Sequence, residues 1–228
     1  MKTSLNTLMM ALLGSGLMLA PAAQADLSGN LGVTSNYLWR GVSQSDDAPA
    51  ISGGLDYAHD SGFYAGTWTS NVDFGDDTSY EVDLYGGYAG EVGDLGYELG
   101  YIHYFYPNAA FEGEDYDADF GEINLALYWN WLGISAAYGL NTGDEAELYD
   151  KALYLEATAS FELSESLGLQ LAVGQQSFDM DGAEDYLNYS VSLTKSTDLG
   201  DVSFMVSDTD LDDDDPMVSV SWVYGFSL

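Results

Sequence analysis

Apolar residues recur at every second position along most of this chain, not at every third or fourth. In the segment YEVDLYGGY, the apolar side chains of Tyr80, Val82 and Leu84 alternate with Glu81 and Asp83. Successive side chains of a β-strand point to opposite faces, so this spacing predicts a strand with one apolar and one polar face. The stretch NTGDEAELYDKALYLEA has some helical character, but period two returns within it, and we predict a strand there.

The same alternation predicts an all-β chain of twelve strands. They cover residues 27–40, 51–57, 63–71, 80–88, 97–101, 122–129, 132–138, 153–161, 167–173, 187–193, 202–206 and 218–228. Long acidic connections, at residues 41–49, 72–79, 107–119, 141–151, 178–185 and 208–215, alternate with connections that are mostly shorter and less acidic. Antiparallel strands that weave between two sides of a bilayer produce this alternation. We therefore expect a transmembrane antiparallel up-and-down β-barrel of about 12 strands.

A sandwich of two sheets would also alternate, but the composition of the two faces argues against it. The buried face of a sandwich is mostly aliphatic, whereas the apolar face here places aromatics near strand ends, as at Tyr37, Trp39, Trp129 and Trp222. Such aromatics form girdles at membrane interfaces. The opposite face is rich in Asn, Asp, Glu and Gln, which suits a polar lumen. We expect the apolar face to contact lipid, and Tyr154, which has the other parity, to point inward.

The final predicted strand reaches the carboxyl terminus with Trp222, Tyr224, Phe226 and Leu228 on one face. Most soluble domains fray at such a position. Bacterial outer-membrane barrels instead end on a strand of this kind, which closes against the first strand and resembles the signal read by their assembly machinery. Leu228 stands where the terminal residue is usually aromatic.

The first segment has the features of a secretory signal peptide. Residues 1–25 contain Lys2, an apolar stretch and a small-x-small ending at Ala23–Ala25. We expect cleavage there, which leaves residues 26–228 as the outer-membrane β-barrel. The chain has no cysteine, which excludes disulfides and thiolate metal sites. Both features predict export to the outer membrane of a Gram-negative bacterium, where lipid and lipopolysaccharide would surround the barrel.

Acidic residues dominate the charge of the chain. There are 38 Asp and Glu residues against 4 Lys and Arg residues, a formal net charge of -34. Such a surface repels phosphate backbones, which excludes nucleic acid as a partner. The acidic segments FDMDGAEDY and DTDLDDDDP offer carboxylates to Ca²⁺ or Mg²⁺, although neither has the spacing of an EF-hand. We expect no other cofactor.

One stretch of the chain resembles a known family. The segment SNYLWRGVSQSDDAPAISGGLDYAHDSGFYAGTWTSNVDF, residues 35–74, is followed by YEVDLYGGYAG and YIHYFYP. Together they are similar to the TorF-type porin family, also called the Gcw_chp outer-membrane family, and the resemblance covers residues 26–106. It implies an outer-membrane barrel with a channel role, and it implies no catalytic residues.

Charged residues of inward parity form a candidate charge cluster in the lumen. Its members are Arg40, which is predicted at the outer end of the first strand, and Asp56, Glu81, Asp83, Glu98 and Glu122. An arginine in the lumen needs carboxylate partners, because an unpaired buried charge is costly. We favour a structural ion-pair network over a selectivity filter for this cluster.

Two functional interpretations stay open, and a third has weaker support. Twelve strands lie between the ~8-strand barrels that side chains fill and the ~16-strand porins with open pores, so the first interpretation is a narrow channel that prefers small cations. The second is a non-conducting structural barrel or one that binds divalent cations. An outer-membrane hydrolase would need a triad around His103. The expected neighbours of His103 are Tyr80, Val82 and Ile123, which offer neither a nucleophile nor a carboxylate, so we expect no enzyme.

Overall fold

The computed structural model describes residues 26–143, 146–212 and 215–228. The predicted signal peptide, residues 1–25, lies outside the described residues. Almost all regular structure in the described ranges is extended, with one short 3-10 turn at Glu147–Tyr149. No helix in this part of the chain is long and apolar enough to cross a membrane.

Long strands follow one another along the chain, and two-residue strands form small hairpins within two of the connections. In chain order the strands are β1 (Asp26–Thr34), β2 (Leu38–Trp39), β3 (Val42–Ser43), β4 (Ala50–Ala58), β5 (Phe63–Asn71), β6 (Tyr80–Val92), β7 (Leu95–Phe105), β8 (Ala110–Phe111), β9 (Glu114–Asp115), β10 (Phe120–Trp129), β11 (Leu132–Thr142), β12 (Leu153–Ser164), β13 (Leu167–Ser177), β14 (Tyr186–Thr197), β15 (Gly200–Thr209) and β16 (Met217–Ser227).

Across the described residues the main sheet closes into a barrel of twelve strands, in the order β1-β16-β15-β14-β13-β12-β11-β10-β7-β6-β5-β4. The first strand closes the ring, because Asn30 of β1 lies opposite Gly54 of β4 on one side and Gly225 of β16 on the other. Both of these pairings are antiparallel. This confirms the predicted up-and-down barrel and the closure of the last strand against the first.

The two faces of the barrel wall differ as the alternation predicts. Outward side chains such as Leu31, Ile51 and Leu125 are exposed, and Ile51 retains 70% of its accessible surface. Inward side chains at alternate positions, such as Glu81 and Glu122, are polar and buried. A closed sheet satisfies its backbone hydrogen bonds between strands, and the hydrocarbon of a bilayer covers an exposed apolar belt of this kind. The chain is a transmembrane barrel.

Short turns and long connections lie at opposite ends of the barrel. Residues 59–62 join β4 to β5 and residues 93–94 join β6 to β7 at the end that we call the short-turn end. The termini of the barrel are also there, where the N–H of Leu228 donates to the carbonyl of Leu27 at 2.8 Å. The long acidic connections occupy the other end, which we call the long-connection end.

The prediction for the first strand was wrong at its outer end. The prediction extended this strand through Arg40 and placed Tyr37 and Trp39 on its lipid side, whereas β1 ends at Thr34. Trp39 is instead buried, with 6% of its surface accessible, inside the barrel. The alternation of polar and apolar residues continues through the bend, so the spacing alone does not mark the position at which the chain leaves the wall.

Candidate functional site in the barrel lumen

A short hairpin in the first long connection leaves the barrel rim and enters the lumen. It comprises residues 37–44 and contains the paired strands β2 and β3; we call it the lumenal hairpin. At its base, the backbone N–H of Gln44 donates to the carbonyl oxygen of Tyr37 at 2.7 Å. The hairpin is therefore closed on itself before it meets the barrel wall.

Asn36 fixes the point at which the chain turns inward. Its side-chain amide donates to Asp47 Oδ1 at 2.6 Å and accepts from the Ser43 hydroxyl at 2.7 Å. The hydroxyl of Ser219 on β16 donates to the carbonyl oxygen of Asn36 at 2.8 Å. These bonds satisfy a buried amide and join the base of the hairpin to the wall.

Arg40 and Gly41 form the turn at the tip of the lumenal hairpin. Both have positive φ, 50° and 87° respectively. A type I′ turn requires positive φ at both central residues, and its twist matches that of the flanking strands. A Cβ atom added to Gly41 would lie 2.8 Å from Asn188 Cβ and from Thr209 Cγ2. The tip therefore packs directly against β14 and β15.

The guanidinium of Arg40 makes the main polar contacts between the hairpin and the wall. Its Nη2 donates to Glu122 Oε2 at 2.6 Å, and its Nη1 donates to Gln176 Oε1 at 2.9 Å. Its central carbon lies 4.1 Å from the ring centre of Trp39 and 4.4 Å from that of Tyr154, within the range of cation–π attraction. Glu122 is only 1% exposed, so the ion pair is almost completely desolvated.

The ion pair keeps Arg40 charged. Burial lowers the pKa of Arg40, but the Glu122 carboxylate, together with Tyr104 and Tyr154, raises it by more, so the pKa lies above its ordinary value. Removing either partner would leave the other charge buried and unpaired, which costs about 3–5 kcal/mol. The pair therefore holds the hairpin tip against β10 at any physiological pH.

Aromatic rings hold the middle of the hairpin. The indole of Trp39 makes edge contacts with the rings of Tyr104, Phe120 and Tyr149, at centroid distances of 6.0, 6.1 and 5.7 Å. Such pairs contribute roughly 0.5–1.5 kcal/mol each beyond their buried area. The hairpin contacts inward residues of successive strands: Trp68, Glu81, Tyr104, Glu122, Tyr154, Gln176, Asn188 and Thr209. It therefore crosses the lumen at the long-connection end.

Replacing Gly41 with Ala will loosen this tip, whereas Gly113→Ala will not. Gly113 holds the same position in the β8–β9 turn with φ 82°, so both alanines carry a similar backbone cost of about 1 kcal/mol. A Cβ at Gly113 meets nothing within 4 Å, but one at Gly41 collides with β14 and β15. Overpacking costs about 1–3 kcal/mol, so trypsin should cut after Arg40 about fivefold faster or more in Gly41→Ala. Equal cleavage rates in the two variants, measured by mass spectrometry, would contradict the tight docking.

The predicted charge cluster is divided into separate groups. Arg40 lies on the hairpin tip, not on the first strand, and the described residues pair it with Glu122. Asp56 accepts from the Tyr85 hydroxyl at 2.5 Å, and Glu98 accepts from the Tyr64 hydroxyl at 2.5 Å. Each of these two carboxylates lies toward the short-turn end and keeps part of its surface exposed to the lumen.

Glu81 and Asp83 form a further group on β6 beside the hairpin. Glu81 accepts from the hydroxyls of Tyr37 at 3.0 Å and Tyr106 at 2.7 Å. Burial and the neighbouring Glu81 carboxylate raise the pKa of both tyrosines well above the ordinary value, so both phenols stay protonated. Asp83 is the next inward residue of the strand and is also buried.

Three contributors to the site were not identified from the sequence. The alternation predicts Trp39 on the lipid side. Nothing in the sequence distinguishes Gln176 from the many other inward polar residues. Tyr154 was expected to point inward, as it does, but its contact with Arg40 was not foreseen. Tyr154 also donates to Glu156 at 3.0 Å, which adds another partly exposed carboxylate to the lumen.

The histidines lie away from the lumenal hairpin. His59 is in the short turn after β4, where its Nδ1 is 2.7 Å from the Ser61 hydroxyl. His103 is on the outward parity of β7, with the Tyr101 hydroxyl 2.9 Å from its Nδ1. Its neighbours in register are Leu84 and Gly121, not the residues expected from the sequence.

The acidic connections give no candidate metal centre within the described chain. Among the described residues, no group of three or more His, Asp or Glu side chains comes together so that it could hold a metal ion. Residues 213–214 of the segment DTDLDDDDP lie outside the described residues. Divalent-cation binding by the connections stays a prediction.

A closed antiparallel barrel with an apolar outside, a polar lumen and a connection folded into that lumen defines a porin-like transmembrane barrel. The chain belongs to the family described as "Bacterial protein of unknown function (Gcw_chp)", whose pattern matches residues 19–223. This confirms the Gcw_chp part of the resemblance. No curated protein matches the sequence.

Solved porins share this architecture. The KdgM porin is 9% identical over 88% of this chain and 99% of its own, with a TM-score of 0.58. The NanC porin is 12% identical over 89% of this chain and 98% of its own, with a TM-score of 0.51. At these identities the similarity shows the fold alone.

Proposed function

We propose that this protein is an outer-membrane channel of the TorF type, which passes small cations through an acidic lumen that the lumenal hairpin narrows. In this proposal the barrel lies in the outer membrane of a Gram-negative bacterium, after export by its signal peptide. The long acidic connections then face the lipopolysaccharide side. The porin-like fold supports the channel class.

The charge of the lumen is the observation that supports cation preference most. Asp56, Glu98 and Glu156 are partly exposed on the inner wall. Arg40 is the basic side chain that the described residues place in the lumen, and Glu122 neutralises it. A lumen with this excess of carboxylates concentrates cations and repels anions.

The other basic residues of the barrel do not offset this charge. Lys151 lies in a long connection beside Asp150 and Asp179. Lys195 is exposed near the short-turn end of β14, where its amine bonds to Ser166. Neither side chain is part of the inner wall, so the acidic character of the lumen persists along its length.

Purified protein in planar bilayers should give a cation-selective reversal potential in a KCl gradient. An ideal cation-selective pore gives a reversal potential of about 59 mV for a tenfold gradient. We expect a reversal potential of the same sign and smaller magnitude for this protein. Raising the salt concentration should reduce the value, because salt screens the lumenal carboxylates. A potential of zero or of the opposite sign would contradict the proposal.

A non-conducting barrel is the second candidate, and the lumenal hairpin is the observation that favours it. The hairpin contacts residues on strands all around the wall and buries Trp39 and Arg40 among them. A folded barrel that gives no current steps, while its heat-modifiable migration is intact, would support this candidate over the channel.

A further inference from the structure

Asp83 is a buried carboxylate, and one of its two oxygens has no hydrogen-bond donor among the described residues. The residue is 5% exposed, and the oxygen without a donor is Oδ1. In register it lies between Trp68 of β5 and Tyr104 of β7. The hydroxyl of Tyr104 donates to Glu122 Oε2 at 3.3 Å, and so it is directed to a different carboxylate.

The neighbouring charges do not compensate Asp83 either. Arg40 is committed to Glu122 and Gln176. Glu81, the preceding inward residue of β6, has each carboxylate oxygen stabilised by a phenol, from Tyr37 and Tyr106. Glu81 and Glu122 therefore have hydrogen-bond donors beside the hairpin, whereas the described residues offer none to Asp83 Oδ1. Burying such a charge is expensive, so the carboxyl must be neutralised by a proton or by a cation from solution.

We propose that Asp83 binds a monovalent metal cation, Na⁺ or K⁺, between the barrel wall and the lumenal hairpin. The strongly acidic chain, with a net charge of -34, enriches cations around and within the barrel. One positive charge suffices, because the phenols already stabilise Glu81. The cation stabilises the docked hairpin, since it offsets the cost of burying the charge of Asp83.

The ligand set favours a monovalent over a divalent ion. Ca²⁺ takes 6–8 oxygen ligands and Mg²⁺ demands octahedral geometry with retained water. In the described ranges no three carboxylate or histidine side chains converge on a point that could hold such an ion. Asp83 and Glu81 provide carboxylates on β6, and the nearby Glu122 is already paired with Arg40. The inference goes beyond the proposed channel, because a site at Asp83 does not require that the barrel conducts.

The test compares thermal unfolding of the detergent-solubilised barrel in KCl and in N-methylglucamine chloride, at equal ionic strength and pH 8. At a K⁺ concentration about tenfold above Kd, the Tm should be roughly 3–5 °C higher in KCl. Asp83→Asn should remove this difference. Glu112→Gln, which neutralises an exposed carboxylate at the tip of the β8–β9 turn, should retain it.

Two results would overturn the proposal. The first is a Tm that does not depend on the cation, or a K⁺ effect that persists in Asp83→Asn. The second is a Tm that is the same with either cation but rises on acidification in the parent and not in Asp83→Asn. In that case Asp83 would hold a proton instead of a metal ion. If Asp83→Asn does not fold, anomalous diffraction from parent crystals grown in Rb⁺ decides. A peak beside Asp83 Oδ1 supports the site, and no peak there rejects it.

Discussion

Replacing residues 38–43 with Gly-Gly will raise the single-channel conductance of this barrel by about three- to tenfold. The lumenal hairpin crosses the lumen, and its tip reaches the wall at Glu122 and Gln176. A barrel of twelve strands is wide enough to keep a water-filled passage when such an element is absent. Ions that now pass beside the hairpin would then use the whole cross-section.

The variant is designed to leave the rest of the first connection in place. Tyr37 and Gln44 already face each other through a 2.7 Å backbone hydrogen bond, so a two-residue Gly-Gly turn can join them. Asn36 keeps its bond to Asp47. Planar-bilayer recordings in symmetrical KCl would compare the conductance of the variant with that of the parent.

The chain contains a matched control hairpin. In β8–β9, Ala110 pairs with Asp115, and the turn residues Glu112 and Gly113 have φ of 51° and 82°. This hairpin has the same positive-φ turn as the lumenal hairpin, but its tip is exposed. Replacing residues 111–114 with Gly-Gly should leave the conductance unchanged. If both variants conduct as the parent does, the lumenal hairpin does not limit the current.

The barrel was predictable from the sequence because strand alternation is a local property. The polarity of a wall residue indicates the face on which it lies. The polar Glu81 and Asp83, which alternate with apolar residues from Tyr80 onward, were sufficient to assign both sides of β6. A closed ring of such strands then follows from the need to pair every edge. The fold therefore required no information about contacts distant in the chain.

The site was not predictable in the same way, because its contacts are distant in the chain and cross the lumen. Arg40 and Glu122 are 82 positions apart, and Arg40 and Gln176 are 136 apart. Face parity identifies Glu122 as inward but does not say which inward carboxylate an arginine on a loop will reach. The turn at Asn36 could not be predicted either, because apolar and polar residues keep alternating from Ser35 to Arg40 although the chain leaves the barrel wall there.

Neutralising the partly exposed carboxylates of the lumen will lower the cation selectivity of the channel. The triple variant Asp56→Asn, Glu98→Gln and Glu156→Gln should reduce the cation-to-anion permeability ratio by about three- to fivefold. An amide oxygen can still accept the hydrogen bonds that Tyr85, Tyr64 and Tyr154 now donate, so the wall keeps its shape while it loses three charges. Reversal potentials in a KCl gradient measure the ratio.

The position of the lost charge matters, and Glu112→Gln provides the comparison. Glu112 is exposed at the tip of the β8–β9 turn, where solvent ions screen it, so its loss should leave the reversal potential nearly unchanged. If Glu112→Gln shifts the reversal potential as much as the triple variant does, the selectivity arises from the acidic exterior. An unchanged potential in the triple variant would remove the lumenal carboxylates as its source, and with them the physical basis for a cation channel.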